Sequence, residues 1–286
     1  MAHDREQLYA ISKFKMERVC APYRDKVIAV VGKRGSGKTT LMKDIISNVY
    51  PRIENGIVFS PTECANGTWG KIFPPTNVYG EFNEEAIKNA KQYQMEKKKE
   101  TARRFKRQFG RPAANFDELK PYMPCFLIIF EDCFYDNTIK NNKSLRDLLM
   151  NGRHFNFFVM LALQYYLDIS PGLRNQIDFA IFCKEANGET LRKLHKQAFS
   201  AMIERFKDFK RIFDRHTENR GYLILTPTAN SNKAEEVVFY YRADPTTNPT
   251  IGSKALWAWA ARHYLDPFGL GDDDDEEPDE NETVMS

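Results

Sequence analysis

The sequence predicts an α/β protein in which a mostly parallel sheet carries helices on both of its faces. Apolar runs rich in β-branched or aromatic residues alternate along the chain with segments of helical periodicity. The first run, residues 26–31, leads into a glycine-rich turn, and a helical pattern over residues 39–49 follows that turn. Parallel strands are joined by crossover connections of this kind, so we expect the successive strands to be parallel.

Later segments continue this alternation and end in an antiparallel pair. Apolar residues at helical spacing predict one basic helix over residues 190–215. Two strand-like runs around a turn-rich segment, residues 222–226 and 236–241, predict a C-terminal β-hairpin. The other predicted strands are residues 56–60, 125–130, 155–163 and 177–183, and the segments 143–150 and 170–176 are read as helices or turns.

Composition divides the chain into three regions. We expect an N-terminal helical segment over residues 1–25, then one domain over residues 26–266 with a basic helical insertion at about 83–120. Residues 267–286 are expected to form a disordered acidic tail, since residues 272–286 hold nine acids and no Lys or Arg. This tail either provides solubility alone, or competes with nucleic acid for a basic surface or binds a partner.

Charge and cysteine usage narrow the class of protein. The whole chain has a net charge of +3, so residues 1–271 carry +12, and such a basic body attracts polyanions such as nucleic acid. No run of eighteen apolar residues is present, so we expect neither a transmembrane segment nor secretion. Five widely spaced cysteines without a Cys-x-x-Cys pair favour free thiols over a disulfide scaffold or a zinc site.

The glycine-rich turn satisfies the pattern G-x-x-x-x-G-K-[ST] between a predicted strand and a predicted helix, which is the context that a phosphate-binding P-loop needs. Its glycines let backbone N–H groups converge on an anion at a helix N-terminus. We expect Lys38 to reach the β- and γ-phosphates of ATP and Thr39 to bind Mg²⁺; the alternative is a glycine turn that binds nothing. The predicted ATP-binding residues are Gly32, Lys33, Arg34, Gly35, Ser36, Gly37, Lys38, Thr39 and Thr40.

Two acids at the end of an apolar strand supply the second half of this site. Residues 126–130 are wholly apolar and are followed by Glu131 and Asp132, which packing alone does not explain. We assign Glu131 to the metal and Asp132 to polarising the attacking water, and both are expected near Mg²⁺. Gln164 follows another predicted strand and would point toward the nucleotide as a γ-phosphate sensor; a surface glutamine is the alternative.

The order of these parts resembles a known family. The P-loop, the acid pair, Arg153 and His154 before an apolar strand, Gln164, and then Leu173-Arg174-Asn175 are similar to the genome-packaging ATPases of large double-stranded DNA viruses, within the FtsK and HerA group of ring motors. The resemblance spans about residues 26–242. The chain departs from it in the order Glu131-Asp132, because motor ATPases usually have the aspartate first.

The resemblance implies a RecA-like core that assembles into a ring-shaped homo-oligomer, a pentamer or hexamer, and uses ATP hydrolysis to pump viral DNA into preformed capsids. It also implies capsid or portal-vertex partners, and a location in the virion and the host-cell cytoplasm. In such rings an arginine of one subunit completes the neighbour's site, and Arg153 and Arg174 are the two candidates, of which Arg153 is preferred; the alternative for either is a cation at a helix end. Such a finger would stabilise the charge that builds on the γ-phosphate oxygens.

A motor that binds duplex DNA of any sequence contacts the phosphates of the DNA, so the basic faces of helices are the candidate DNA-binding surfaces. The alternative is that these residues form only a solvated helix face. The predicted DNA-binding residues are Lys97, Lys98, Lys99, Arg103, Arg104, Lys106 and Arg107, and a second basic run contains Lys207, Lys210 and Arg211.

Other functions share the P-loop and stay open at the level of sequence. Another DNA-translocating or remodelling ATPase would need the same site. A nucleoside kinase would have an arginine-rich lid and no acid pair ahead of a sensor strand. A nucleotide switch would bind ATP without turnover, so hydrolysis stimulated by DNA excludes it.

Overall fold

The computed structural model describes residues 9–20, 23–49 and 53–264, and within them nine strands form one sheet. The strands stand in the order β1-β9-β8-β7-β2-β6-β5-β3-β4 across the sheet. They are β1 (Ser12–Lys13), β2 (Val27–Val31), β3 (Ile53–Phe59), β4 (Val78–Tyr79), β5 (Cys125–Glu131), β6 (Phe157–Leu163), β7 (Phe179–Phe182), β8 (Gly221–Leu225) and β9 (Val238–Arg242).

Most neighbouring strands are parallel, as the sequence predicts. β4, β3, β5, β6, β2 and β7 form a continuous parallel set, with β2 between β6 and β7. The predicted C-terminal hairpin is confirmed, because β8 runs antiparallel to both β7 and β9. The antiparallel orientation brings the start of β8 to the edge of the sheet at which the parallel strands end.

Helices cover both faces of this sheet, and the alternation of side chains along β2 shows how the core is divided. Val27, Ala29 and Val31 belong to one buried cluster, whereas Ile28 and Val30 belong to the other. The α-helices are α1 (Glu17–Cys20), α2 (Lys38–Val49), α3 (Glu63–Asn66), α4 (Glu84–Phe109), α5 (Phe116–Leu119), α6 (Asn137–Lys140), α7 (Lys143–Asn151), α8 (Pro171–Arg174), α9 (Gly188–Leu194), α10 (Phe206–Thr217), α11 (Ala234–Val237) and α12 (Lys254–His263).

The two faces carry different helices. Leu41, Ile45 and Val49 of α2 pack on the face that includes Ile28 and Val30. The opposite face is covered by α4, α7, α9 and α10, which contribute residues such as Ala90 and Phe213. The helix that follows the glycine-rich turn and the basic helices therefore lie on opposite sides of the sheet.

The predicted basic insertion is dominated by one long helix. The Asn83 side chain caps α4 by accepting from the N–H of Ala86, and Gly110 ends the helix in the left-handed conformation at φ 70°. The buried Gln94 of α4 donates to the carbonyls of Pro124 (3.2 Å) and Phe155 (2.8 Å), which precede β5 and β6. Gln94 therefore lies at the amino edge of the sheet, and the part of α4 that follows Gln94 begins at this edge.

The prediction of one basic helix over residues 190–215 is wrong. The segment forms α9, a π-helical turn at His195–Phe199, and then α10 after a break. His195 Nε2 lies 2.6 Å from the carbonyl oxygen of Ile203, and Ile203 is completely buried. Burial of Ile203 turns the chain between the two helices, although the apolar spacing of the sequence continues through the turn.

The two ends of the chain bear on the predicted organisation in different ways. Within the predicted N-terminal helical segment, residues 9–20 contain the four-residue helix α1, but they also contain β1, which pairs with β9 at the edge of the sheet. The predicted acidic tail, 267–286, lies outside the described residues. In the part of the chain that is described, no helix is both long and apolar enough to cross a bilayer.

Candidate nucleotide-binding site

The carboxyl edge of the parallel strands gathers the predicted site residues. Residues 32–37 connect the end of β2 to the start of α2, and Gly32 N donates to the carbonyl of Leu163 at 2.9 Å, so the loop begins against the end of β6. Glu131 ends β5, and Gln164 directly follows β6. Ligands bind at this edge in open α/β sheets, and the predicted P-loop lies at its centre.

The glycines give this loop a shape that other residues would strain. Gly35 and Gly37 have φ values of 75° and 94°, in the region that favours glycine. A Cβ atom on Gly37 would lie 2.8 Å from the hydroxyl oxygen of Tyr222, and one on Gly32 would lie 2.6 Å from Cβ of Cys183. The loop is therefore a cradle that only backbone can line, as phosphate binding requires.

Lys38 is the first residue of α2, and its ammonium group is turned into the loop. Nζ donates to the carbonyl oxygens of Gly32 at 2.9 Å and Lys33 at 3.3 Å, and it lies 3.7 Å from Oδ1 of Asp132. The side chain is only 6% exposed. A buried ammonium surrounded by oxygens is suited to an anionic ligand, whose oxygens can replace the carbonyls.

Glu131 accepts three hydrogen bonds from side chains. Thr39 Oγ1 donates to Oε1 at 2.9 Å, while Ser60 Oγ at 2.9 Å and the indole Nε1 of Trp69 at 2.5 Å donate to Oε2. The residue is 7% exposed. These contacts join the P-loop threonine to the first acid, which is the pairing that the sequence predicts for a metal-binding site.

Asp132 occupies a different environment from its neighbour. Its backbone has φ 50°, an uncommon value for a residue with a side chain, and it turns the chain out of β5. The side chain is 24% exposed, and the buried Oδ1 atom has no hydrogen-bond partner among the described residues. This oxygen instead faces the ammonium group of Lys38 at 3.7 Å, so Asp132 is the acid that contacts the P-loop lysine.

Gln164 and Asp132 line the same cleft. The cleft has a volume of about 260 Å³ and is also lined by Tyr135, Lys140 and Tyr165. Gln164 is exposed and lies beside the P-loop as well, since it shares a second cavity with Gly32. The predicted sensor glutamine and the predicted water-activating acid therefore face one space next to the loop.

The residues present fit Mg²⁺ held together with a nucleotide. No group of three or more His, Cys, Asp or Glu residues able to hold an ion by itself occurs among residues 9–20, 23–49 and 53–264. Oγ1 of Thr39 lies 2.9 Å from Oε1 of Glu131. Hydroxyl and carboxylate oxygens are ligands of Mg²⁺, which commonly binds one or two protein groups together with substrate phosphates. The unpartnered Oδ1 of Asp132 adds a further oxygen.

The two candidate arginines differ in their surroundings, and Arg153 lies at the opposite edge of the sheet. Arg153 donates to Asp178 Oδ1 at 3.0 Å, and Asp178 Oδ2 accepts from the N–H of Val27 at 2.9 Å, so this pair lies where β2 and β7 begin. Burial raises the pKa of Asp178, and the Arg153 guanidinium opposes that rise. Arg174 stands over the ring of Tyr166 at 5.5 Å, and its buried Nε has no hydrogen-bond partner within the described residues.

The seven basic residues predicted to contact DNA differ in their surroundings. Lys97 pairs with Glu100 at 3.3 Å, Lys98 lies 4.0 Å from the ring centroid of Phe116, and Arg104 donates to the carbonyl of Tyr122 at 2.6 Å. The other four are exposed and form no ion pair in the described part of the chain: Lys99, Arg103, Lys106 and Arg107. These four are available to a polyanion.

The structure brings to the site four residues that the sequence does not predict there. Ser60 directly follows β3, so the rule that locates ligands at strand ends identifies it. Lys140 lines the cleft of Asp132 and pairs with Asp168 at 3.7 Å. Tyr222 donates its hydroxyl to the carbonyl of Gly37 at 3.1 Å, and burial raises the pKa of Tyr222 to about 12, so it remains a donor. Trp69 lies in a loop that has no recognisable pattern.

Comparisons with known proteins agree with this geometry. The family model described as Poxvirus A32 protein matches residues 11–249. The chain is 29% identical over 216 residues to uncharacterized protein 088R of Invertebrate iridescent virus 3, covering 76% of this chain and 75% of that protein. It is 25% identical over 226 residues to uncharacterized protein L437 of Acanthamoeba polyphaga mimivirus, covering 77% and 73%.

A solved structure shares the fold. The genome packaging NTPase B204 of Sulfolobus turreted icosahedral virus 2, in complex with AMPPCP, superposes with a TM-score of 0.50 at 14% identity. The match covers 77% of this chain and 98% of that protein. At this identity the likeness concerns the fold, and it confirms the predicted P-loop NTPase class.

Proposed function

Since the chain belongs to the poxvirus A32 protein family and is an ATPase, we propose that it packages viral genomes by moving double-stranded DNA into preformed capsids. One observation carries the enzymatic part of the proposal: the P-loop lysine and threonine contact the acid pair at one edge of the sheet. Thr39 is hydrogen-bonded to Glu131, and Lys38 is paired with Asp132. This arrangement is suited to cleavage of a phosphoric anhydride.

The proposed reaction converts ATP and water to ADP and inorganic phosphate. The loop amides of residues 32–37 and Lys38 bind the β- and γ-phosphates, which take the place of the carbonyls that now surround Nζ. Mg²⁺, when bound through Thr39 and Glu131, supplies positive charge for the phosphate oxygens. These groups hold the phosphoryl group in position while charge builds on its oxygens.

Asp132 and Gln164 are proposed to act on the attacking water. The water's oxygen forms the new bond to the γ-phosphorus as the bond to the ADP oxygen breaks, and Asp132 accepts the released proton on Oδ1 once bound phosphate has displaced it from Lys38. Gln164 orients the water from the other side of the shared cleft. The roles that the sequence assigns to Glu131 and Asp132 are supported by their different surroundings, since Glu131 accepts three side-chain hydrogen bonds, whereas Oδ1 of Asp132 accepts none among the described residues.

The decisive experiment measures ATP hydrolysis with and without long duplex DNA across a salt series. We expect DNA to stimulate turnover, and the stimulation to fade as salt rises, because phosphate contacts release counterions. The Lys38→Ala protein is the control for contaminating activity. Hydrolysis that is indifferent to DNA would contradict translocation and would favour a nucleotide switch or another P-loop ATPase.

The exposed cations of α4 are the proposed DNA contacts. Replacing Lys99, Arg103, Lys106 and Arg107 by Ala should lower the slope of log affinity against log salt by about one for each lost phosphate contact. Lys88 is the matched control, since it lies on the same helix but has Glu84 and Glu85 3.7 Å away. An unchanged slope in the fourfold variant would place the DNA elsewhere.

A ring-shaped homo-oligomer, a pentamer or hexamer, is proposed to complete each site with an arginine of the neighbouring subunit. Arg153 already neutralises the buried Asp178 of its own chain, whereas Nε of Arg174 has no hydrogen-bond partner among the described residues, so we favour Arg174 as this finger. Mixing Arg174→Ala and Lys38→Ala proteins should restore part of the activity that each lacks alone, because some interfaces then combine an intact loop with an intact arginine. Failure to complement would exclude Arg174.

Capsid or portal-vertex proteins are the proposed partners, and the virion and the host-cell cytoplasm are the proposed locations. Both follow from the proposed packaging activity, since a motor of this type must act where capsids are filled. Co-sedimentation with capsids tests this part of the proposal. We expect the assembled oligomer to sediment with capsids.

A further inference from the structure

A fully buried tryptophan is hydrogen-bonded to an acid of the proposed catalytic site. The side chain of Trp69 is 0% exposed, and its indole Nε1 lies 2.5 Å from Oε2 of Glu131. Ser60, also 0% exposed, donates its hydroxyl to the same oxygen at 2.9 Å. A buried indole N–H normally needs a partner, but a neutral carbonyl would satisfy it, so the choice of a site carboxylate requires another explanation.

The loop after β3 is built so that Trp69 holds one position. The carboxylate of Glu63, in α3, accepts the backbone N–H groups of Trp69 at 2.8 Å and Gly70 at 2.8 Å. The indole ring packs edge-on against Phe73, with ring centroids 6.1 Å apart. The backbone and the ring of Trp69 are therefore both anchored, and its N–H points at Glu131 from a fixed place.

The hydrogen bonds from Ser60, Trp69 and Thr39 occupy most of the acceptor sites of the Glu131 carboxylate. A carboxylate has about four acceptor sites, two on each oxygen. Oε2 of Glu131 receives Ser60 and Trp69, while Oε1 receives only Thr39. One site therefore remains, on the oxygen that faces the P-loop threonine.

We propose that Trp69 and Ser60 are positioning residues that lock Glu131 with Oε1 as its one oxygen available to Mg²⁺ bound with ATP. The inference rests on the proposed function. Glutamate has one more rotatable bond than aspartate, and fixing a flexible side chain costs conformational entropy when the metal binds. The two donors on Oε2 already fix the Glu131 side chain before the metal binds, so the entropy cost does not fall on metal binding. A glutamate can therefore serve at a position where motor ATPases usually have an aspartate.

The first test is a Mg²⁺ titration of the full chain. Ser60→Ala and Trp69→Phe should each raise the Mg²⁺ concentration for half-maximal ATP hydrolysis by about tenfold, the effect of losing one hydrogen bond to a charged group. The affinity for ATP measured in EDTA should stay within about twofold of the parent protein, since that affinity does not use Glu131. Trp257→Phe is the matched control, because its indole donates to the carbonyl of Ile251 instead.

The second test is spectroscopic and does not depend on turnover. In a Trp257→Phe/Trp259→Phe background, Trp69 is the one remaining tryptophan. Its emission should change when Mg²⁺ is added to the ATP-loaded protein, and the change should be lost when Glu131→Gln is added. If Trp69→Phe does not fold, Ser60→Ala and this emission measurement still decide the question.

The outcomes separate the inference from the function on which it rests. Parental Mg²⁺ dependence in Ser60→Ala, together with Trp69 emission that ignores Mg²⁺, would overturn the positioning role while hydrolysis by the parent protein stands. Failure of the proposed function would instead appear in the parent, as ATP binding and turnover that Lys38→Ala leaves unchanged. An equal loss of ATP affinity in EDTA and in Mg²⁺ would make the two residues merely structural and would also overturn the inference.

Discussion

Nζ of Lys38 lies 3.7 Å from Oδ1 of Asp132, so the lysine of the P-loop and the second acid of the site form an ion pair. Lys38 begins the helix that follows β2, and Asp132 follows β5, which is separated from β2 by β6. The lysine has backbone carbonyls as its other partners. An incoming phosphate competes with Asp132 for the same ammonium group. Under the proposed mechanism, phosphate binding therefore also releases Asp132 for proton transfer.

Removing the charge of Asp132 should separate binding from hydrolysis. Asp132→Asn is expected to bind ATP at least as tightly as the parent protein, because a competing anion near Lys38 is gone, while turnover falls by about a hundredfold or more. Equilibrium binding and single-turnover hydrolysis measure the two effects. Asp136→Asn, four residues further along the chain, is the matched control and should leave both unchanged. Weaker ATP binding by Asp132→Asn would contradict the competition.

Lys38→Ala should abolish turnover through lost phosphate binding. We expect a decrease of at least about a hundredfold in kcat/KM, the scale on which a preorganised stabilising charge contributes. Lys43→Ala, in the same helix, is the matched control. Turnover of Lys38→Ala near the parental level would mean that the glycine-rich loop is not the nucleotide site.

Two glycines of the loop should differ in their tolerance of alanine. Both Gly35 and Gly37 have positive φ, which costs an alanine about 1 kcal/mol. At Gly35 a Cβ atom meets nothing within 4 Å, whereas at Gly37 it lies 2.8 Å from the Tyr222 hydroxyl. ATP affinity should therefore fall more in Gly37→Ala than in Gly35→Ala. Equal effects on affinity and on thermal stability would show that the tyrosine contact is irrelevant.

The Arg153 and Asp178 pair should make stability depend on pH. Burial raises the pKa of Asp178 above its ordinary value, and the backbone N–H of Val27 and the Arg153 guanidinium oppose the rise. Without Arg153 the pKa of Asp178 in the folded protein rises further above its pKa in the unfolded chain. Ionisation of Asp178 then favours the unfolded state, so the free energy of unfolding falls as the pH increases above about 4. Arg153→Ala should then cost about 1–2 kcal/mol at neutral pH, since the arginine is partly exposed, and little below pH 4.

Urea unfolding at several pH values measures this dependence. The control is the double variant Arg153→Ala/Asp178→Asn, in which the pH-dependent part of the loss should disappear because no carboxyl group remains. A loss of the same size at every pH would mean that Arg153 stabilises the fold through packing alone.

The sequence predicts which residues meet at the carboxyl edge of the sheet, because these residues follow strand ends. Glu131 and Gln164 each come directly after an apolar run, and the parallel arrangement brings such positions to one edge. Ser60 obeys the same rule, but the sequence predicts it only as the last residue of a strand over residues 56–60. Local pattern and topology together were sufficient for this part of the site.

Other features depend on contacts that no local pattern encodes. Trp69 reaches Glu131 from 62 residues earlier in the chain, through a loop that Glu63 holds in place. The two residues of β1 are too few to show alternation, and they form a strand because β9 offers an open edge. Likewise, the apolar spacing across residues 190–215 is compatible with one helix, and tertiary burial of Ile203 divides it.

The tyrosines of the C-terminal hairpin have a consequence for synthesis on the ribosome. Tyr222 and Tyr241 face each other across β8 and β9, and they bond to Gly37 and Asp44, which lie 185 and 197 residues earlier. At about 5–20 residues per second, a nascent chain waits roughly 10–40 s between making its nucleotide loop and making the hydroxyl that braces it. Ribosome-bound chains would therefore retain ATP only after the hairpin emerges. The onset of ATP retention would mark the completion of the fold.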